Sequence, residues 1–209
     1  MTIQFPRTDI IDGLKIVDGA LQPMWRHDYS ASPARTIVKD LAPMLWRATY
    51  RTAPMTHTEA AEVETDLLTL QGGIKLFEGY DPRRPLPLDN EVDALDGVTV
   101  FVISADRLRL RLTGVPVGFK ITKGDYVSIN DGTNLFLIRA ATTAPIANAA
   151  GESGWFDIAP ALHPSITVGM PVKLRFPCAR FMLDPGGVSR QATGIFEETI
   201  SISATQVIE

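Results

Sequence analysis

The chain has 209 residues with an ordinary apolar share of 45%, enough for one large globular domain or two small ones. Its net charge of −4 argues against a general affinity for nucleic acid or for anionic membranes. A single cysteine, Cys178, excludes an internal disulfide and a thiolate metal cluster.

The N-terminal region is predicted to consist of strands. The first seven residues lack the basic and apolar pattern of a signal peptide, and no later apolar run approaches the ~20 residues of a membrane span. We therefore expect a protein made in the cytoplasm, which leaves it only within a larger assembly. Residues 14–21 form the first predicted strand. Residues 34–39 and 45–51 are predicted to pair antiparallel, with a turn at residues 40–43.

One main helix is predicted over residues 57–71. Thr56 and Glu59 have the spacing of a capping box, and Gly72 and Gly73 end the segment. An apolar stripe follows helical periodicity, and its members are Ala60, Val63, Leu67 and Leu70. A single helix in a β-rich chain needs a sheet against which to bury this stripe.

Residues 93–177 are predicted to form a small β-barrel of the OB or SH3 type. About five short strands are separated by glycine-rich turns, including a hairpin turn at residues 130–134. Residues 107–112 alternate Arg and Leu, which predicts a strand with one face of each kind. The remaining predicted strand segments are residues 121–129, 135–139, 155–158 and 168–174.

The C-terminal residues are predicted to form strands like those of the N-terminal region. Residues 181–184 precede a predicted turn at residues 185–187, and a long strand is predicted over residues 195–208. A strand of that length is expected to pair with the N-terminal sheet. The barrel at 93–177 is then an insertion into one domain made of residues 1–92 and 178–209.

Residues suited to catalysis or metal binding do not form a recognisable pattern. His27, His57 and His163 are isolated, and no HxxxH or HxH spacing occurs. Ser30 lies near His27 and Asp28, but a Gly-x-Ser-x-Gly elbow is absent. We therefore expect no catalytic residues, no cofactor and no metal.

Charged residues at exposed turns and strands are the candidates for contacts with other subunits or partners. Arg83 and Arg84 lie between two prolines in a rigid extended segment. The arginines of residues 107–112 are either a basic ladder against an acidic or phosphate surface, or the solvated face of a strand. The candidate contact residues are Tyr80, Asp81, Arg83, Arg84, Arg107, Arg109 and Arg111.

Three blocks of the chain resemble the distal tail proteins of siphophages, in the form found in alphaproteobacterial phages and gene-transfer agents. The first is the segment ending Leu45-Trp46-Arg47-Ala48-Thr49-Tyr50. The second is the helix followed by Gly72-Gly73-x-x-x-Phe77-x-Gly79-Tyr80-Asp81-Pro82. The third runs from Leu110 to Tyr126 and includes Gly114, Pro116, Gly118, Phe119, Ile121, Gly124 and Asp125.

This resemblance implies a mainly β protein with a β-sandwich belt domain, assembled as a six-fold ring at the distal end of a virion tail. The implied partners are further copies of the chain, the tail tube protein, the hub or baseplate protein and the tape-measure protein. DNA would pass through the lumen without specific binding, and no membrane partner is implied. In larger relatives a carbohydrate-binding domain follows the belt, whereas the extra module here is inserted and barrel-like.

Three alternatives remain open from the sequence. The chain could be a tube-terminator or hub subunit, which differs from a distal tail protein in its position in the virion. It could also be a carbohydrate-binding module of the tail tip, with Trp155, Tyr126 and Phe136 as a sugar platform. A tail-borne hydrolase is the least favoured option because no active-site pattern is present.

Overall fold

The computed structural model describes residues 3–32, 35–88 and 95–208. Within these ranges the chain is mainly β, with two antiparallel sheets and one main helix, which confirms the expected fold class at this level. The helices are α1 (Ile10–Gly13) and α2 (His57–Leu68). The strands are β1 (Ile16–Ser32), β2 (Arg35–Thr52), β3 (Met55–Thr56), β4 (Phe77–Tyr80), β5 (Thr99–Ile103), β6 (Arg109–Thr113), β7 (Tyr126–Asn130), β8 (Leu135–Ala140), β9 (Phe156–Ala159), β10 (Val172–Lys173), β11 (Cys178–Ala192) and β12 (Glu197–Gln206).

The first sheet is built from both ends of the chain. Its strand order is β1-β2-β12-β11-β4, and β3 pairs with the start of β12. The expected pairing of the closing strand with the N-terminal sheet is confirmed, because Ser201 of β12 lies opposite Arg51 of β2. The predicted boundary at residues 92 and 93 lies outside the described residues.

The β1–β2 hairpin differs from its prediction. Residues 40–43 do not turn, and β2 runs unbroken from Arg35 to Thr52 alongside β1, so the prediction of two strands joined by a turn is wrong. Pro43 falls at a register shift between the pairs Met24–Leu45 and Arg26–Ala42. A bulge accommodates proline because the regular ladder is interrupted there. Residue 34 of the predicted strand lies outside the described residues.

Helix α2 confirms the predicted capping box. The Thr56 hydroxyl accepts from the Glu59 amide, and the Glu59 carboxylate accepts from the Thr56 amide at 2.9 Å. The helix ends at Leu68, three residues earlier than predicted, and Gln71–Gly73 form a separate 3₁₀ turn. Ala60, Leu67 and Leu70 of the predicted stripe are buried, and Val63 is half-buried.

The second sheet has the strand order β10-β7-β8-β9-β6-β5. The predicted hairpin turn between β7 and β8 is confirmed, with Asn130 opposite Leu135. Its two outermost strands are also linked by backbone hydrogen bonds, from Val100 N to Met170 O at 2.9 Å and from Val172 N to Val98 O at 2.8 Å.

Strand β11 corrects a second predicted turn. Residues 185–187 lie within β11, in a bulge between the pairs Leu183–Ala204 and Val188–Ile202. The Asp184 carboxylate holds this bulge, because it accepts hydrogen bonds of 2.6 Å from the hydroxyls of two β12 residues, Ser203 and Thr205. The Pro-Gly-Gly sequence therefore bends a continuous strand.

The two sheets pack against each other. One apolar cluster lies between the first sheet and α2 and also includes Tyr126 and Leu137 of the second sheet. The other cluster fills the interior of the second sheet. The Ser128 hydroxyl donates to the Cys178 carbonyl at 2.6 Å, and the Gln206 amide donates to the Leu135 carbonyl at 3.3 Å, which fixes the junction.

Candidate assembly surface

The outer half of the β1–β2 hairpin forms a ribbon, here called the arm, made of residues 22–32 and 35–43. Side chains of β2 become buried only from Met44 onwards, whereas residues 35–41 are all exposed. At about 3.3 Å per residue, the arm extends roughly 30 Å along the strand direction. It follows that about half of each strand lies outside the apolar core of this chain.

Large apolar side chains line the arm without cover from the rest of the chain. Trp25 is 56% exposed and Tyr29 is 68% exposed. The rings of Trp25, His27 and Tyr29 form a row, with centroid separations of 5.4 Å and 6.1 Å. The other exposed large apolar residues of the arm are Ile37, Val38 and Leu41. Contiguous exposed apolar groups are a common feature of surfaces that bind proteins, membranes or ligands.

The edges of the arm are open to further strands. Strand β1 is the outermost strand of its sheet, and β12 pairs with β2 only from Arg47 to Arg51. Beyond Arg47, the outer edge of β2 therefore has no strand partner among the described residues. Alternating charges limit unwanted pairing along such edges. The charged residues of the arm are Arg26, Asp28, Arg35, Lys39 and Asp40.

The predicted contact residues from the end of β4 onwards contact other parts of the same chain. The Tyr80 hydroxyl donates to the Asp12 carboxylate at 2.8 Å, and burial and this carboxylate raise the pKa of Tyr80 to about 12. Asp81 is buried, and its carboxylate accepts hydrogen bonds from the backbone amide and the guanidinium of Arg83. Arg84 is half-buried beside Gly124. Tyr80, Asp81 and Arg83 thus have side-chain partners within the chain. Arg84 Nη1, in contrast, is buried without a hydrogen-bond partner among the described residues. Contact of these four residues with a neighbour stays a prediction.

The arginines of residues 107–111 do not share one face, and the predicted alternation is wrong at Arg107 and Leu108. Arg107 has a φ of 57° and precedes β6, and its guanidinium donates to the carbonyls of Leu162 and Ile166 at 3.0 Å and 2.8 Å. A turn before β6 interrupts the alternation. In this turn the Asp106 carboxylate accepts a 3.1 Å hydrogen bond from the Leu108 amide.

Arg109 and Arg111 do lie on β6, with partners of their own. The Arg109 guanidinium lies 5.8 Å from the Trp155 ring centroid. Arg111 pairs with Glu152 at 3.0 Å and lies over the Phe101 ring. Their charges are therefore partly neutralised or stacked within the chain.

The three aromatic residues considered as a sugar platform are separated. Tyr126 and Phe136 are each only 4% exposed, in different apolar clusters. Phe136 stacks on the His163 ring with centroids 4.9 Å apart. Trp155 is exposed but is covered on one side by Arg109. These rings do not present a shared surface to a sugar.

The environment of Cys178 is that of an inert thiol. Burial and the Glu78 carboxylate 3.2 Å from Sγ raise the pKa of Cys178 to about 12, so the thiol stays protonated. Among residues 3–32, 35–88 and 95–208, no three His, Cys, Asp or Glu side chains are grouped to hold a metal ion. In the same ranges, no helix has both the length and the apolar character to cross a bilayer.

Sequence reasoning missed the arm. Its pattern was present as the alternating Trp25, His27 and Tyr29. A register extended past Pro43 places His27 opposite Asp40 and Tyr29 opposite Val38. The local turn chemistry of residues 40–43 concealed it. No protein-family model matches the chain, and no curated protein sequence matches it.

Proposed function

We propose that this chain is a non-enzymatic structural subunit of a phage tail tip, a distal tail protein. Its copies form a ring of six that joins the tail tube to the hub or baseplate at the distal end of the virion. The ring leaves a central channel for the tape measure and for DNA. The arm is the observation that carries this proposal.

A long uncovered arm is costly for a chain that works alone. A two-stranded ribbon is only marginally stable in water, and Trp25 and Tyr29 leave 56% and 68% of their surface exposed. Contact with a neighbouring copy would bury these rings and pair the open edges. When such contacts join different surfaces of identical copies, they generate a closed ring if the rotation between copies closes, and an open filament if it does not.

The proposal assigns separate roles to the two sheets. The first sheet, with α1 and α2, is the ring-forming β-sandwich belt made of residues 1–92 and 178–209. The second sheet is the inserted small β-barrel of residues 93–177. The backbone hydrogen bonds that join Val98 and Val100 to Val172 and Met170 support a closed barrel, because closure satisfies both sheet edges.

Two glycines of the second resembling block have a packing role, which supports the proposed relationship to distal tail proteins. A Cβ on Gly79 would lie 2.8 Å from the Tyr50 hydroxyl, and a Cβ on Gly73 would lie 2.6 Å from the Leu183 carbonyl. Both glycines allow close packing, of β4 on Tyr50 of β2 and of the turn after α2 on Leu183 of β11. They specify the belt, whereas the arm supplies the contacts.

Electron microscopy of the purified chain tests this function. Negatively stained particles should be rings with an open centre, and incubation with tubes of the cognate tail tube protein should place one ring at a tube end. A chain that forms no ring and does not bind tube ends would overturn the proposal.

A further inference from the structure

The turn between β11 and β12, here called the tip, carries two uncovered apolar side chains. Ile195 is 84% exposed and Phe196 is 74% exposed. The tip is nevertheless well fixed, because the amides of Thr193 and Gly194 both donate to the Glu197 carbonyl, at 2.9 Å and 3.2 Å. A rigid apolar protrusion loses little conformational entropy when it binds.

An apolar cleft of about 610 Å³ lies between the base of the arm and the second sheet. Leu41 of the arm and Leu108 of the turn before β6 line it, and both are exposed. Its floor includes buried residues such as Phe136 and Ile158. A cleft of this volume and composition is suited to bulky apolar groups.

The tip and the cleft lie at opposite ends of one strand. The tip immediately precedes β12, which begins at Glu197, whereas Gln206 at the end of β12 lines the cleft. Ten residues of strand span roughly 30 Å. The tip of one chain therefore cannot reach its own cleft, but it can reach the cleft of another copy.

The charges next to the two surfaces include one opposite pair, Glu197 by the tip and Arg26 by the cleft, whereas Asp40, which lines the cleft itself, has the same sign as Glu197. Glu197 is exposed beside the tip. Arg26 is exposed in a shallower hollow that adjoins the cleft and shares Pro43 and His163 with it. Opposite charges at the rim of an apolar contact orient two partners as they approach.

We infer that the tip of one copy, through Ile195 and Phe196, inserts into the cleft of the next copy. The inference rests on the proposed ring and specifies the contact between its neighbours. Since tip and cleft are different surfaces, each copy both donates a tip and accepts one. Such a contact repeats head to tail, and it closes into a ring when the rotation between copies permits.

Cysteine cross-linking tests this contact between copies. F196C and L108C chains of different tag length are purified separately, mixed and oxidised, and the expected product is a disulfide-linked heterodimer. I146C mixed with L108C is the matched control, because Ile146 is exposed to a similar degree on a loop away from the tip. The native Cys178 is buried and contributes little background.

Removing the tip side chains provides the second measurement. The I195S/F196S double variant should weaken self-association about tenfold or more, because buried apolar anchors dominate interfaces. The control double variant V117S/I146S alters two exposed apolar residues elsewhere and should assemble like the wild type. Circular dichroism verifies that both variants fold.

The outcomes separate this inference from the proposed function. If rings form without the cross-link, and the tip variant still assembles, the inference is overturned and the proposed function stands. If cross-linked open chains form but no closed ring, the contact is upheld and the proposed ring fails. A wild-type chain that stays monomeric and does not cross-link overturns both.

Discussion

The indole Nε1 of Trp46 donates a 2.7 Å hydrogen bond to the backbone carbonyl of Leu137, and this bond joins the two sheets. Both residues are buried, and the Trp46 ring also meets the Tyr126 ring edge to face at 5.7 Å. The sheet that carries the arm is thereby held against the sheet that lines the cleft. The relative position of these two surfaces depends on this junction.

Replacing Trp46 should weaken the junction. W46F keeps an aromatic ring but leaves the buried Leu137 carbonyl without its donor, so the free energy of unfolding should fall by about 1–3 kcal/mol. Urea denaturation followed by circular dichroism measures the change. W155F is the control, since Trp155 is exposed, and it should change the free energy by no more than about 0.5 kcal/mol. Equal losses in both variants would contradict the assigned role of Trp46.

The two glycines after α2 should respond differently to alanine. Gly72 has a φ of +64° with open space around it, so G72A should cost about 1 kcal/mol of backbone strain. Gly73 has a φ of +104°, and its added Cβ would lie 2.6 Å from the Leu183 carbonyl. G73A should therefore cost about 3 kcal/mol or more, from strain and overpacking together. Thermal and urea unfolding would refute this ranking if G72A were the less stable variant.

The cap of α2 should make stability depend on pH in the acid range. The Lys15 ammonium and then the Thr56 amide and hydroxyl hydrogen-bond the Glu59 carboxylate and lower the pKa of Glu59 to about 2, from an ordinary 4.5. Because the unfolded chain takes up this proton first, the stabilisation is complete above pH 4.5 and is lost as the pH falls towards about 2.

The E59Q variant isolates this contribution. It should flatten the dependence of the melting temperature between pH 5 and pH 2 relative to the wild type. E62Q, at an exposed position of the same helix, is the matched control and should retain the wild-type slope. An unchanged slope in E59Q would show that the capping carboxylate does not contribute in this range.

The arm should matter for assembly and not for the fold of the single chain. W25S/Y29S removes two exposed rings, so the free energy of unfolding of the monomer should change by no more than about 0.5 kcal/mol per site. Self-association, measured by analytical ultracentrifugation, should weaken about tenfold or more. V117S/I146S again serves as the control with similar exposure. Normal assembly of the arm variant would remove the arm from the interface.

Features set by neighbours in sequence could be predicted, and features set by long-range pairing could not. The capping box of Thr56 and Glu59 and the turn between β7 and β8 depend on residues within five positions of each other. Pro43 and the 185–187 segment have equally clear local turn chemistry. There, however, pairing with β1 and β12 keeps the strands continuous and turns these residues into bulges.

In the candidate assembly surface, too, local sequence patterns could be recognised, whereas features that depend on the rest of the fold could not. Arg83 and Arg84 attract attention as charged residues between prolines, yet Asp81 already binds Arg83 within the chain. The arm and the tip are recognisable only once burial is known, because an exposed Trp25 or Phe196 has the same sequence pattern as a buried one. Periodicity identifies a strand face, but it does not reveal whether anything covers that face.

The native mass of the purified wild-type chain tests the central claim most directly. Native mass spectrometry at physiological salt should give a closed species of six times 22.8 kDa, without a ladder of larger open chains. A single species of 22.8 kDa that persists as the protein concentration is raised would contradict the account, because the arm and the tip would then remain exposed.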